Sequence, residues 1–279
     1  MLMINGHTQL IAHLGYPTES FKAPMIYNPW FEKHGINAVV VPMGVRPQDY
    51  PVFLRPLFEL SNIRGALVTM PHKVVTMGLV DEVTPTAAIA GACNAVRMLP
   101  DGRLLGDQFD GAGFVRGVQR KGKVLQGARV LVSGNGGVGC AIAASLAAAG
   151  VGELMLFDAS SAASAGLADR LRQHYPQLVV HTGSNDPAGY DLVVNATPLG
   201  MNADDPLPFD VDRIAPSTMV GEVVMKQAYT PLLQAAQAKG CQVQLGTDML
   251  FEMIPAYLEF FGFGTSTADE LRDVARISY

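Results

Sequence analysis

Few folds accommodate the stretch "RVLVSGNGGVGCAIAASLAAAG". It runs from a β-branched apolar segment through Gly134-x-Gly136-x-x-Gly139 into an Ala-rich segment of helical character. Strand, tight glycine turn and helix, in that order, build the phosphate-holding turn of an α/β nucleotide-binding sheet. The glycines allow the turn and the close approach of a pyrophosphate, whose charge meets N–H groups at the helix start. Gly134, Asn135, Gly136, Gly137, Val138 and Gly139 are therefore candidate cofactor-binding residues. In a chain with 29 glycines the pattern alone is weak. Its context carries it: a strand before, a helix after, and then a second strand, "ELMLFD".

Asp158 closes that second strand, at about the 20-residue spacing where an acid accepts hydrogen bonds from an adenosine ribose. Its charge repels a 2′-phosphate, and the following "ASSAAS" supplies no Arg to hold one. NAD is expected, with NADP the lesser alternative. A later segment, "VVNATPLGM", ends a strand at Asn195-Ala196-Thr197, and the carboxyl ends of parallel strands are where a dinucleotide lies.

Apolar runs and helical periods alternate on both sides of this motif. Strands are predicted at 9–15, 37–45 and 65–70, with helices at 23–35 and 47–60 between them. A hairpin is predicted from "NAVRML", "PDG" and "RLLGD". After a helix over 110–122 the rhythm restarts and continues to a helix at 248–263 and a last one opened by an N-cap at Thr267. The expected fold is two-domain α/β with a cleft between the domains. Residues 1–105 with 248–279 form one domain and 106–247 the other.

Bulk properties exclude several function classes. The 279 residues carry a formal net charge of -5, and no basic cluster with interleaved aromatics offers a nucleic-acid footprint. No uncharged apolar stretch reaches the roughly 20 residues a membrane helix needs. Three cysteines, far apart and odd in number, suit a reducing compartment, so a cytoplasmic protein is expected. The six histidines are scattered, none joins an acid or Cys at ligand spacing, and no metal site is expected.

Chemistry is carried by "RGALVTMPHK", which delivers Lys73 after a strand and turn, and by "GDQFDGAG", which places Asp110 before a helix. Hydride transfer between a secondary alcohol and a carbonyl also moves a hydroxyl proton, and a lysine beside a carboxylate can carry it. Spacing alone leaves open a solvated Lys73 and an Asp110 that only caps its helix.

Taken in order, "GYPTESFKAPMIYN", "GALVTMPHK", "AGACNAV", "GDQFDGAG", "GNGGVG", "VVNATPLGM", "TPLLQAAQAKG" and "GTDMLFEM" make a more specific signal. The chain resembles the shikimate/quinate dehydrogenase family over nearly its whole length. The resemblance implies an N-terminal substrate domain, a Rossmann-type domain and C-terminal helices returning to the first domain. It implies reversible oxidation of a ring hydroxyl by a nicotinamide cofactor, with Lys73 and Asp110 as the catalytic pair and Thr69 and Asn94 on the substrate. Gly246 of "GTDMLFEM" joins the expected cofactor set.

Departures from the family pattern gather on the substrate side. Two serines that hold a substrate carboxylate in the family match Phe21 and Ala23 here, flanking Lys22. A substrate-side tyrosine matches Met225, a glutamine matches Met253, and an asparagine matches Leu67. Each hydrogen bond lost to a charged ligand costs about 1.5–3 kcal/mol. The expected substrate is therefore a small cyclic polyol or hydroxyketone other than shikimate, taken by a monomer or homodimer. Two alternatives stand: a standard shikimate or quinate dehydrogenase whose carboxylate is held by Lys22 or Lys226, and a catalytically weak nucleotide-binding sensor.

Overall fold

A computed structural model describes residues 4–202 and 204–277. In the N-terminal part, β1 (Gln9–Gly15), α1 (Pro24–Lys33), β2 (Ala38–Gly44), α2 (Tyr50–Leu57) and β3 (Ile63–Val68) follow the predicted alternation. β4 (Glu82–Val83), α3 (Pro85–Ala90), β5 (Ala95–Met98) and β6 (Leu104–Asp107) come next. The sheet order is β2-β1-β3-β5-β6-β4, with β1 parallel to β2 and β3, and β5 antiparallel to β3 and β6. Gly102 makes the predicted hairpin turn at φ 84° and donates its N–H to Leu99 O (3.0 Å).

Alternation divides the residues of the central strands between two faces. Ala12, Leu14, Ala66 and Val68 join Tyr50, Leu54 and Leu57 of α2 in one core. Ile11, His13, Gly15 and Leu67 point to the other face. β4 and α3 lie in a stretch the periodic reading left irregular, because a two-residue strand has no period. The end signals of α3 are nevertheless local: Thr84 Oγ1 accepts from Ala87 N (3.3 Å), Pro85 follows, and Gly91 stops the helix at φ 66°.

The second sheet belongs to the next part of the chain. Its elements are α4 (Asp110–Arg120), β7 (Arg129–Ser133), α5 (Gly137–Ala148), β8 (Glu153–Phe157), α6 (Ser161–His174), β9 (Val179–Thr182), β10 (Leu192–Asn195), β11 (Met219–Glu222), α7 (Pro231–Ala238) and β12 (Val243–Gln244). All its pairings are parallel, in the order β12-β11-β10-β7-β8-β9. The strand order reverses between β7 and β10, which is the switch point where doubly wound sheets bind ligands. The core is largely aliphatic, built on Leu131, Val193, Val220 and Leu233, with Phe209 at its side.

α8 (Gly246–Phe261) and α9 (Ala268–Val274) close the chain, and Thr267 caps α9 as predicted, accepting from Glu270 N (3.2 Å). The chain divides into two compact units, residues through Phe109 with those from Met253, and Asp110–Glu252. The crossings fall at 109/110 and 252/253, against expected boundaries of 105/106 and 247/248. The second lies inside α8, where periodicity has nothing to mark it. The residues from Met253 pack on the first sheet through aromatic rings. Gly65 leaves room for the Phe261 ring, Arg64 Nε donates to Phe261 O (2.6 Å), and Phe109 meets Tyr257 edge-on at 4.8 Å. Among the described residues no helix is long and apolar enough to cross a membrane.

Candidate active site

The expected catalytic Lys73 and the expected substrate-side Thr69 and Asn94 are brought together by the backbone of the first unit. Thr69 leaves the end of β3 with its N–H on Leu14 O (2.8 Å). Val68 N donates to Asn94 O (2.8 Å), and Cys93 N donates to Lys73 O (2.9 Å). Thr69, Lys73 and Asn94 therefore stand together at the carboxyl ends of β1 and β3. The Asn94 side chain accepts from Phe109 N through Oδ1 (2.9 Å), whereas its buried Nδ2 has no hydrogen-bond partner among the described residues. Phe109 is the residue immediately before Asp110. Asp110 itself is buried at the head of α4, whose close pass against α5 is allowed by Gly111, packed on Ala141 O.

His72, which reads in sequence as a turn residue, anchors the Lys73 turn. It is buried, its Nε2–H donates to Val45 O (2.8 Å), and its ring lies flat on Tyr50. Thr76 Oγ1 donates to His72 O (2.8 Å), so the Tyr50 hydroxyl donates to Thr76 Oγ1 (2.8 Å). Burial pushes the His72 pKa down, partly offset by the bond to Val45, and pushes the Tyr50 phenol up.

The departures are concrete in structure. Phe21 is half-buried, and its ring tip converges with the Thr69 methyl over Gly15, where an added Cβ would lie 2.7 Å from Phe21 Cζ. Ala23 is buried as the residue preceding α1, Lys22 is half-buried, and Ser20 is exposed. His13 was not legible as a site residue. It is 8% exposed, stacks on Phe21 with centroids 4.1 Å apart, and lies near Lys73. Burial first, and the Lys73 charge second, hold its pKa down to about 3. Met253 is half-buried in α8.

In the second unit the three glycines of the turn have separate reasons. Gly134 adopts φ 92°, a conformation other residues avoid. A Cβ on Gly139 would run into Gly134 O, so close helix–strand packing requires that glycine. Gly136 is exposed, and a Cβ there meets nothing within 4 Å. No side chain caps α5, whose first residues are Gly137, Val138 and Gly139. Its leading N–H groups and the open face at Gly136 fit a dinucleotide pyrophosphate. Asp158 Oδ2 accepts from Asn135 N (2.7 Å) and Oδ1 from Ser160 N (2.8 Å), so the acid is held at the rim of the turn.

Asn195 lies beside Ser133 in register and next to Glu222 on the other side. Its side chain shapes the following loop. Oδ1 accepts from Thr197 N (3.1 Å) and Thr197 Oγ1 (2.6 Å), while Nδ2 donates to Leu199 O (2.9 Å). Ala196 N donates to Ser133 O (2.7 Å), which extends the pairing of β10 with β7 by one bond. Gly246 starts α8 against Val224 O, too close for a Cβ, and Met225 is half-buried just beyond. Lys226 is exposed and reaches Asn202 Oδ1 (3.4 Å). Glu222 is fully buried, with its pKa raised by burial to about 7. Among the described residues no group of three His, Cys, Asp or Glu side chains is placed to hold a metal.

The shikimate dehydrogenase substrate-binding-domain family model matches residues 14–96, the segment that carries Thr69, Lys73 and Asn94. The ThiF family model matches 114–161, around the glycine turn. A shikimate dehydrogenase (NADP(+)) of Rubrobacter xylanophilus is 37% identical over 251 residues, 88% of each chain. One from Acidiphilium cryptum is 32% identical and covers 97% of this chain and 96% of its own. The chain belongs to the shikimate/quinate dehydrogenase family.

Solved structures agree with that membership. Shikimate 5-dehydrogenase of Listeria monocytogenes, in complex with shikimate and NAD, has a TM-score of 0.88 at 26% identity, covering 97% of both chains. Quinate dehydrogenase of Corynebacterium glutamicum, in complex with NAD, has a TM-score of 0.85 at 29% identity, covering 96% of this chain and 98% of that one. Family membership makes the chain an NAD(P)-dependent oxidoreductase acting on a small cyclic polyol or hydroxyketone.

Proposed function

We propose that the chain interconverts a ring hydroxyl and a ketone on shikimate or quinate, with Lys73 as the proton-transfer group and Asp110 assisting it. The observation that carries this is the gathering of Thr69, Lys73 and Asn94 within the matched substrate segment by the Val68–Asn94 and Cys93–Lys73 backbone bonds. Bound NAD(P) supplies the hydride acceptor at the carbon being oxidised. Lys73 takes the hydroxyl proton as the ketone forms, and returns it in reduction. The unpartnered Asn94 Nδ2 and the Thr69 hydroxyl are donors suited to ring oxygens. The names of the relatives support shikimate and quinate as the first substrates to test.

A second reading, a ring polyol without the carboxylate, is favoured by one observation. Phe21 fills the approach beside Thr69 where the family carries a serine, and exposed Ser20 does not replace it. NAD is the preferred cofactor in this proposal because Asp158 stands at the rim of the turn. A cytoplasmic monomer or homodimer with no nucleic-acid partner completes the reading.

Steady-state assays of the pure protein with shikimate, quinate and carboxylate-free cyclohexane polyols, each with NAD and NADP, separate these readings. Turnover of shikimate or quinate at a millimolar or lower KM supports the first; turnover confined to carboxylate-free polyols supports the second. In K73A, turnover is expected to fall by at least about a hundredfold with cofactor binding retained. Equal loss of both sinks the role given to Lys73.

A further inference from the structure

His13 sits where a strand offers an imidazole to the substrate face and the protein gives its Nδ1 nothing to bond. It lies on β1 opposite Leu67 of β3, on the face away from the α2 core. Phe21 covers one side of its ring and Lys73 stands near it. The flanking Leu67 and Phe21 side chains carry no polar atom. Nδ1 is buried without a hydrogen-bond partner among the described residues. An unsatisfied buried polar atom costs free energy that an aliphatic side chain at the same place avoids. A partner from outside the chain removes that cost, and two residues along the strand the Thr69 methyl and the Phe21 ring converge over Gly15.

We infer that His13 is a specificity-determining residue whose imidazole hydrogen-bonds a hydroxyl of the bound ring, beside the hydroxyl that reacts. The inference deepens the proposed function and rests on it. At a given nitrogen a neutral imidazole donates or accepts according to its tautomer, and a hydroxyl can answer in either sense. A second cation here, beside Lys73, is opposed by burial and by the lysine charge. A hydroxyl can meet either tautomer of that neutral ring, whereas a carboxylate, which only accepts, meets only the one whose N–H faces it.

The test compares wild type with H13L and H13N on the better of shikimate and quinate, on a carboxylate-free cyclohexane polyol, and on an analogue lacking one hydroxyl. Expected for H13L is a KM raised at least tenfold, with kcat within threefold, cofactor affinity unchanged and thermal stability at pH 7 equal to or above wild type. The preference for the full polyol over its deoxy analogue should collapse in H13L and be partly restored in H13N. A merely structural histidine would instead lower stability and leave that preference intact. If H13L does not fold, H13N decides, through a shifted ratio between the two ligands. If wild type turns over polyols while every variant that folds keeps kcat/KM and the deoxy preference within twofold, the inference alone is wrong. If wild type turns over none of them, the proposed function fails and the inference goes with it.

Discussion

His72 lies flat on Tyr50, ring centroids 3.9 Å apart and 4° from parallel, and the pair holds the turn that presents Lys73. The Tyr50 hydroxyl continues the chain of bonds to Thr76 and so back to His72 O. Y50F removes one buried hydrogen bond, a loss of about 1 kcal/mol. The expected result is a melting temperature lower by about 2–4 °C and a severalfold lower kcat, with cofactor affinity unchanged. Calorimetry and steady-state kinetics on the same sample check this. An unchanged kcat would show that Lys73 does not depend on the Tyr50–Thr76 hydrogen bond.

Gly136 and Gly139 are expected to respond oppositely to alanine. The backbone at Gly136, φ -75° and ψ -169°, suits any residue, and the added methyl meets only open space. G136A should keep the wild-type melting temperature and bind NAD at least about tenfold more weakly, because the methyl enters the pyrophosphate approach. G139A drives a Cβ into Gly134 O and should cost about 1–3 kcal/mol before any ligand is added. Titration of NAD by fluorescence, beside thermal melts, separates the two.

Glu222 gives stability a pH dependence of known sign. Its folded pKa of about 7 lies above the model-peptide value near 4.5, so between those values the folded state binds a proton that the unfolded state has released. Its carboxyl therefore destabilises progressively as pH rises through that window, by roughly 3 kcal/mol above it. E222Q should be more stable than wild type at pH 8 and lose that advantage by about pH 4.5. Urea unfolding at several pH values measures it, and a constant difference across the window would contradict it.

Buried neutral histidines act in the opposite sense. His13, with a pKa of about 3, and His72, lowered by burial, resist the proton that the unfolded chain takes up below its ordinary value near 6.5. Stability should fall as pH drops from about 6.5 toward 4, and H13L should flatten that fall. Melts of E222Q and H13L over one pH series resolve the two contributions, which partly cancel in wild type.

Asp158 is the residue on which cofactor choice should turn. D158N keeps one acceptor oxygen for Asn135 N or Ser160 N and removes the charge that repels a 2′-phosphate. The ratio of kcat/KM with NAD to that with NADP should fall at least about tenfold. An unchanged ratio would move the origin of cofactor preference elsewhere in the turn.

Local chemistry was enough to make the elements legible. Alternating β-branched runs, the Gly134–Gly139 turn, and caps such as Thr267 and Gly91 act over a few residues, so the sequence alone determined the strands, the nucleotide turn and the α/β class. Lys73, Asn94 and Thr69 were singled out differently, by the resemblance of the ordered motifs to a family, because local pattern left Lys73 open. Short β4 escaped because two residues show no period, and the crossing inside α8 because a helix continues unmarked through it.

Only tertiary structure decided what those residues meet. Register between β1 and β3 sets His13 beside Leu67, and the loop before α1 returns Phe21 onto its ring. The stacking of His72 on Tyr50 joins residues from two segments that share no pattern, and Glu222 is buried on β11, which lies between β10 and β12. Sequence periodicity records which face a side chain takes. Which neighbour it finds there depends on strand register and packing between distant segments, and those contacts set the pKa shifts of His13, His72 and Glu222 and leave His13 Nδ1 unsatisfied.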